Sequence, residues 1–516
     1  MSPPEQRSGM LAVLGADPLA WVAAAAVGFG VAVRAWVIAG PMGTPDLDAA
    51  TVAYQAQEFL DGRFGVFFLN QPYGGTLEVF LVSGAFGLGG ANTAMLKLVP
   101  LVLHVVGAVL TWRIARRVTD DPLARLLAPL ILWIFPAGMV WNSTKERGFY
   151  GIALVLSAAT VLLALRVVQR GAVPVDVVAL GLVVGLGWWT TPLLAPVALV
   201  ACTWALSRSA DARREVVPLV GSAVLGAAPW LVWNASNSWE SITGGRLEGL
   251  DWLEGESAWL RSLGLLSGTA TPWDLDRNLL PWWLAAVVLG LMLVVGALRT
   301  RRSVGWLLPG IIVVAGVTSP LNLVLPLSPG APRYLYPLMP VVAVLVAVLA
   351  PERRRRPDAV WAGGLLAAAA ALTWWGLVGM DHLANRPNAN GFVASPGIHE
   401  VVDYLERQDI SVVTTDTSGM QIHFFSEGEI VASSFGAPRV KRFEQVALVA
   451  PETTFVLEGV AFDNRGRLRR WAEFGGTPYV EERIGSYSVF TFDRRVTPEE
   501  AGLRVFGGRP QPDAGE

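Results

Sequence analysis

Cysteine is all but absent. Cys202 is the only one in 516 residues and lies inside an apolar run, which excludes both a disulfide framework and a cysteine-based metal site. Charge is scarce too: 16% of the residues are Asp, Glu, Lys or Arg, against roughly a quarter in ordinary soluble chains, while 53% are hydrophobic. The net charge of −2 points to no acidic or basic partner, and none of nucleic-acid type is expected. Glycine-rich phosphate loops following a strand, HExxH and GxSxG are all missing, as are repeats and low-complexity tracts. No cleavable signal is expected either, because the first apolar run, Leu19–Ala39, is long enough to span a bilayer and lacks a small-residue cleavage pattern.

What the chain has in excess is apolar runs and tryptophan. A bilayer core needs about 20 apolar residues per helix, and on that criterion we place about eleven spans, near Leu19–Ala39, Met95–Trp112, Leu123–Trp141, Phe149–Val168, Val175–Thr190, Pro192–Leu206, Val216–Trp233, Pro281–Leu298, Val304–Thr318, Tyr334–Ala350 and Ala359–Leu377. Many of the 21 tryptophans sit at the ends of these runs (Trp36, Trp133, Trp141, Trp188, Trp189, Trp230, Trp233, Trp282, Trp283), at headgroup level. Thr76–Gly90 is apolar but too short to cross, and it reads as an interfacial or re-entrant helix.

Basic residues concentrate on the cytoplasmic side of short loops. Arg113, Arg116, Arg117 and Arg125, then Arg166 and Arg170, then Arg208, Arg213 and Arg214, then Arg299, Arg301 and Arg302, and finally Arg353 to Arg356 all fall on one side if the N-terminus is inside. The stretch after the first span, the Asn142–Gly148, Asn234–Leu280 and Leu321–Arg333 loops, and everything after Asp381 then lie outside. Past Asp381 helical and β-branched runs alternate, from Ile398, Val401, Val402 and Leu405 to Ile410–Thr415, which predicts a small α/β domain. The expected fold class is therefore mainly α: a polytopic membrane protein with an extracytoplasmic α/β domain, divided at residues 1–380, with a first outer loop at 40–94, and 381–516. His399 and His423 read as ordinary surface or core residues.

Chemistry is sought where polar residues meet the outer leaflet. GTPDLDAATVAYQAQEFLDGRFGVFFLNQPYGGTLEVF carries Asp46, Asp48, Gln55, Glu58, Asp61, Arg63 and Glu78 between two apolar segments. Val52, Ala53, Ala56, Phe59 and Leu60 follow helical spacing, so an amphipathic helix on the membrane is expected, with Asp46 and Asp48 just before its first turn. Asp48 reads either as an N-cap or as a reactive carboxylate. In NSTKERGF, Lys145 and Arg147 flank Glu146 on the side where positive charge is disfavoured; they read either as a solvated loop or as a phosphate clamp. Arg333 repeats the feature beside Tyr334. Glu58 and Glu78 read as solvated or interfacial, Arg34 as snorkelling to the outer interface, and His104 as bonding a neighbouring helix.

PDLDAATVAYQAQEFLDGRF, QPYGGTLEVF, NSTKERGFY and APRYLYPLMP, in this order, resemble the GT-C membrane glycosyltransferases, specifically the family-39-like branch with the protein O-mannosyltransferases and aminoarabinose transferases. The resemblance covers the layout from Leu19 to Ala350, and the C-terminal helix, strand and helix pattern is similar to the tail of uncharacterised bacterial members. It implies a catalytic aspartate in the first outer loop, matched by Asp48 with Asp46 next, and a polyprenyl-phosphate-linked sugar as donor. Members often carry an Asp-Glu pair there; Ala49 follows Asp48 here, which puts a second carboxylate and a metal site in doubt. No cofactor is expected; a divalent metal is neither expected nor excluded. Lys145, Arg147 and Arg333 become the expected donor-phosphate contacts, and Tyr73, Glu78, Glu146 and Tyr334 the further candidates within the matching patches.

The implied function is transfer of that sugar, with inversion, to an acceptor hydroxyl on a glycan, lipid or protein at the outer face of a bacterial plasma membrane. A lipid carries the donor because nucleotide sugars are scarce outside the cell. The alternative is a multi-span transporter or lipid-linked sugar flippase, which would place charges or broken helices at the midplane; GLGWWTTP is the stretch that suits it. A scaffold with an external binding domain would need only one span.

Overall fold

The computed structural model of the chain describes residues 18–209, 212–243, 263–318, 332–351, 357–386, 393–436, 438–458 and 463–503. The Arg353–Arg356 cluster and most of the Leu321–Arg333 loop lie outside the described residues.

Every apolar run folds as helix, but the runs differ in length. Among the described residues five helices are long and apolar enough to cross a membrane, Pro18–Ala39, Thr93–Val118, Tyr150–Arg170, Trp282–Val304 and the helix ending at Ala384, and a sixth span results if Ala212–Gly226 and Ala228–Ser236, bent by 61°, count as one. The other runs give shorter apolar helices, among them Pro122–Ile134, Pro174–Thr190, Leu307–Thr318 and Tyr334–Ala347. Proline and glycine set the difference, because neither can continue a regular helix freely. Pro136 divides the Leu123–Trp141 run into Pro122–Ile134 and Ala137–Asn142, and Gly305, at φ +58°, ends Trp282–Val304. Thr191 and Pro192 turn GLGWWTTP into a tight corner between two helices. The Thr76–Gly90 run forms a 13-residue helix, Leu77–Gly89, stopped by Gly90 at φ +78°.

Several of the basic residues tie helix ends together. Arg117 donates to Gln169 at 2.8 Å, joining the ends of two helices, Arg299 donates to the carbonyls of Val348 and Ala350 at 2.9 and 2.8 Å, and Gly305 packs against the Arg208 guanidinium. The helix Pro357–Ala384 then runs the length of the bundle towards the C-terminal region.

That region is a three-layer α/β unit. Its five strands, β3 (Val412–Thr415), β4 (Val431–Ser434), β5 (Thr453–Glu458), β6 (Val480–Ile484) and β7 (Tyr487–Phe492), lie in the order β4-β3-β5-β7-β6, numbered after the β1 (Ala270–Thr271) and β2 (Asp274–Asn278) hairpin of the preceding loop. β3 pairs in parallel with β4 and β5, and β7 runs antiparallel to β5 and β6. Alternation along β5 sends Val456 to one face, with Val401, Val402 and Leu405, and Phe455 and Leu457 to the other, with Leu468 and Ala472. A third apolar cluster joins this unit to the bundle: Ala50 and Tyr54 of the Leu47–Leu60 helix bury against Met420 and Phe443. That helix was expected to lie on the membrane, and it is instead enclosed, with Val52, Ala53 and Ala56 fully buried on its other side and only Leu60 left out.

Candidate active site

The polar knot begins at the start of the Leu47–Leu60 helix. Asp46 has extended backbone geometry (φ −91°, ψ −174°) and its Oδ1 accepts from Ala49 N at 2.9 Å, so Asp46 is the N-cap. Asp48, read from sequence as a possible cap, sits in the first turn instead of at the N-cap position. Its side chain is 27% exposed; Oδ2 lies 3.5 Å from Arg147 Nη1 and Oδ1 lies 3.5 Å from Arg439 Nη2.

The Asn142–Gly148 loop closes over Asp46. The solvated-loop reading fails, since every residue from Asn142 to Arg147 is at most 4% exposed. Arg147 Nη2 pairs with Asp46 Oδ2, and the guanidinium lies 4.9 Å from the Trp141 ring and 5.7 Å from that of Trp273. Lys145 donates to the Thr44 carbonyl and its Nζ lies 3.9 Å from Asp46. Burial pulls the Lys145 amine well below its ordinary range, with Asp46 opposing. Lys97, near the start of the Thr93–Val118 helix, adds a third buried cation, donating to Gly43 O within electrostatic reach of Asp46. Two glycines allow the loop to close: Gly148 (φ +86°) would place a Cβ 2.7 Å from the Phe68 ring, and Gly74 (φ +78°) one 2.4 Å from the Phe149 ring, so QPYGG and RGFY interlock with no space for a side chain at either position.

Beneath the loop, Glu78 and Glu146 form a second centre. Glu78 was expected on a solvated or interfacial face; it is wholly buried, with Oε2 accepting from Ile152 N at 2.7 Å. Glu146 Oε1 accepts from Gly148 N at 2.9 Å. Burial, and then the neighbouring Glu78 carboxyl, push Glu146 well above the usual carboxylate range. This pair shapes the loop from below, away from Asp48. Glu58 is bound by Arg63 at 2.5 and 2.8 Å and approached by Arg442 at 3.8 Å.

Tyr73 packs against the bundle core, half-buried. Tyr334 is buried edge-on to Tyr150, 6.0 Å between ring centres. Arg333 belongs to the turn Pro332–Leu338, and its side chain lies outside the described residues. Arg34 does not snorkel. Its guanidinium is buried, donating to Ser143 Oγ and the Gly30 carbonyl at 2.8 Å and the Trp133 carbonyl at 2.9 Å, and so ties the first helix to the loop. His104 bonds neighbouring helices, with Nδ1 2.5 Å from the Tyr336 hydroxyl and Nε2 3.1 Å from the Leu132 carbonyl.

Three groups escape sequence reading. Lys97 is hidden in an apolar run, where a lone lysine near a helix start was the available signal. Trp273, carried by the hairpin between β1 and β2, and Arg439, carried by the α/β domain, have no local pattern at all. Counted among the described residues, Lys97, Lys145, Arg147 and Arg439 face two carboxylates, Asp46 and Asp48. That surplus suits an anion next to a partly exposed carboxylate. Among the described residues no group of three or more His, Cys, Asp or Glu is placed to hold a metal ion.

No protein-family model matches the chain, and no curated protein does. Solved structures do. ArnT from Cupriavidus metallidurans in the apo state aligns at a TM-score of 0.60 and 12% identity over 90% of this chain and 98% of its own. The same enzyme bound to undecaprenyl phosphate aligns at 0.59 and 12%, over 90% and 97%. The oligosaccharyltransferase AglB from Archaeoglobus fulgidus, in complex with an inhibitory peptide and a dolichol-phosphate, reaches only 0.48 at 12% identity, over 91% and 73%. The chain thus has the fold of ArnT, a multi-pass membrane fold with a C-terminal α/β unit.

Proposed function

We propose that the chain is an inverting membrane glycosyltransferase that moves a sugar from a polyprenyl-phosphate donor to an acceptor hydroxyl at the outer face of a bacterial plasma membrane. The observation that carries this reading is Asp48: a partly exposed carboxylate at the edge of a buried cluster of Lys97, Lys145 and Arg147. ArnT, whose fold the chain shares, has been solved with undecaprenyl phosphate bound. The one-sided distribution of basic residues along the sequence supports an N-terminus inside and an outer domain at residues 381–516.

The acceptor oxygen attacks the anomeric carbon from the face opposite the phosphate. As the new C–O bond forms, the bond from the anomeric carbon to the phosphate oxygen breaks, and its electron pair leaves with the polyprenyl phosphate. Asp48 takes the acceptor's proton. The cations stabilise charge developing on the departing phosphate, and their burial makes each interaction stronger than it would be in water. Arg333, at the start of the last turn before Met339, is kept as a further phosphate contact. Asp46 holds Arg147 and Lys145 in place, which makes it a positioning residue.

Incubation of the purified chain with a panel of polyprenyl-phosphate sugars, following release of polyprenyl phosphate, tests the reading; no release from any donor in the presence of membrane glycans would sink it. Besides GLGWWTTP, the bent pair Ala212–Gly226 and Ala228–Ser236 favours a flippase. Movement of a fluorescent polyprenyl-phosphate sugar across proteoliposomes, with no sugar transferred, would establish that reading instead.

A further inference from the structure

A cavity of about 510 Å³ lies between the Leu47–Leu60 helix and the start of the Lys441–Val449 helix. Its wall carries four cations, Arg63, Arg439, Lys441 and Arg442, which meet three carboxylates: Glu58 in the wall, Asp61 on Arg63 and Asp48 beside Arg439. Positive charge is therefore in excess. Val440, at the N-cap of the Lys441–Val449 helix, offers no side-chain cap, so the first-turn N–H groups add to the attraction for an anion. Buried polar atoms mark the same space. Gln55 is 3% exposed and its Nε2 donates to the Phe67 carbonyl at 2.8 Å, while its Oε1 has no hydrogen-bond partner among the described residues; neither has Arg439 Nε. A buried amide oxygen left in this state costs free energy unless a ligand hydroxyl reaches it. Arg439 joins the cavity to the proposed reaction centre, since the guanidinium that lines it also lies 3.5 Å from Asp48 Oδ1.

We infer that this cavity is the acceptor subsite, and that the acceptor is a hydroxyl-bearing oxyanion: a glycan unit carrying a phosphate or a carboxylate. Arg439, Lys441, Arg442 and the helix N-terminus take the anion, and Gln55 Oε1 takes a hydroxyl. The α/β domain thereby contributes half of the subsite. Calling the bound molecule an acceptor rests on the glycosyltransfer reading; its binding does not.

Calorimetric titration of the purified full-length protein with glucose 6-phosphate, glucuronate, neutral glucose and inorganic phosphate tests the inference. At least one of the two sugar acids binds at least tenfold more tightly than glucose and than inorganic phosphate, and the better of the two identifies which oxyanion the site takes. The double variant K441Q/R442Q, altered at exposed positions, loses tenfold or more of that affinity, while R470Q, a charge change at a residue paired with Asp463, does not. Glucose binding as well as the acids, phosphate binding as well as both, or unchanged affinity in K441Q/R442Q overturns the inference. Binding intact without any donor turnover sinks the glycosyltransfer reading alone. Donor turnover without binding sinks this inference alone.

Discussion

Asp48→Asn keeps the shape of the side chain and removes its capacity to take a proton. The structure sets what else it removes. Asp48 meets Arg147 and Arg439 at 3.5 Å, the outer edge of ion-pair contact, with its side chain 27% exposed. Asn keeps an oxygen that can accept from both guanidinium groups, and Asp46, not Asp48, caps the helix, so the unfolding temperature should fall less than in Asp46→Asn. Turnover should fall by about 10²–10⁴-fold, equivalent to roughly 2.7–5.5 kcal/mol of lost transition-state stabilisation. Asp46→Asn is the counterpart. Asn is nearly as good a cap, but Arg147 and Lys145 lose the buried partner that compensates them, at a cost of about 3–5 kcal/mol in stability. The assay is release of polyprenyl phosphate from a donor that the native chain turns over, beside thermal unfolding of the same samples in detergent. Near-full turnover in Asp48→Asn would remove Asp48 from the mechanism, and an unfolding temperature that drops as far as that of Asp46→Asn would refute the division of roles between the two.

Glu146→Gln should unfold within about 1 kcal/mol of the native chain, because burial and the Glu78 carboxyl favour the neutral form that Gln mimics, whereas Glu146→Ala strands the Gly148 N–H and costs about 1–3 kcal/mol; equal damage from both, by thermal unfolding, would contradict that preference. In the α/β domain, burial pushes Asp416 up to about 6 and, with Asp416 adding repulsion, Glu458 up to about 8. The folded domain then keeps protons that the unfolded chain has lost, so its stability falls as pH rises, by up to roughly 1.4 kcal/mol per pH unit from each group, through about pH 4–6 for Asp416 and about pH 4.5–8 for Glu458. Glu458→Gln should flatten that decline in hydrogen-exchange protection of β3 and β5, and a protection that rises with pH would overturn it. For the orientation, R301C and F474C, both at exposed positions, are compared in a C202S background. An impermeant thiol reagent on whole cells should label only F474C, and equal labelling would refute the placement of the outer domain.

The sequence by itself determined that the chain is a helical membrane protein, because long apolar runs are a local property read one residue at a time. The β-branched run at Ile410–Thr415 and the helical spacing from Ile398 to Leu405 likewise announced an α/β unit, and both became elements there. Span lengths were less legible: Pro136 breaks a run whose composition stays apolar on both sides, so hydropathy continues where the helix stops. The patches holding Asp46, Asp48, Lys145 and Arg147 could be picked out as polar islands between spans. What each residue does there could not. The helix start fell one residue earlier than the carboxylate offered as its cap, and that shift gave the cap to Asp46 and left Asp48 facing outward. Glu78 and Glu146, separated by 68 positions in the chain, meet only when the Leu77–Gly89 helix and the loop stack, and burial rather than sequence then decides their charge. Lys97 comes within electrostatic reach of Asp46, Arg439 approaches Asp48 and Trp273 lies against Arg147, from three distant segments. Only the tertiary structure brings them there, because an electrostatic centre depends on distance and desolvation, and neither is encoded in any short stretch of chain.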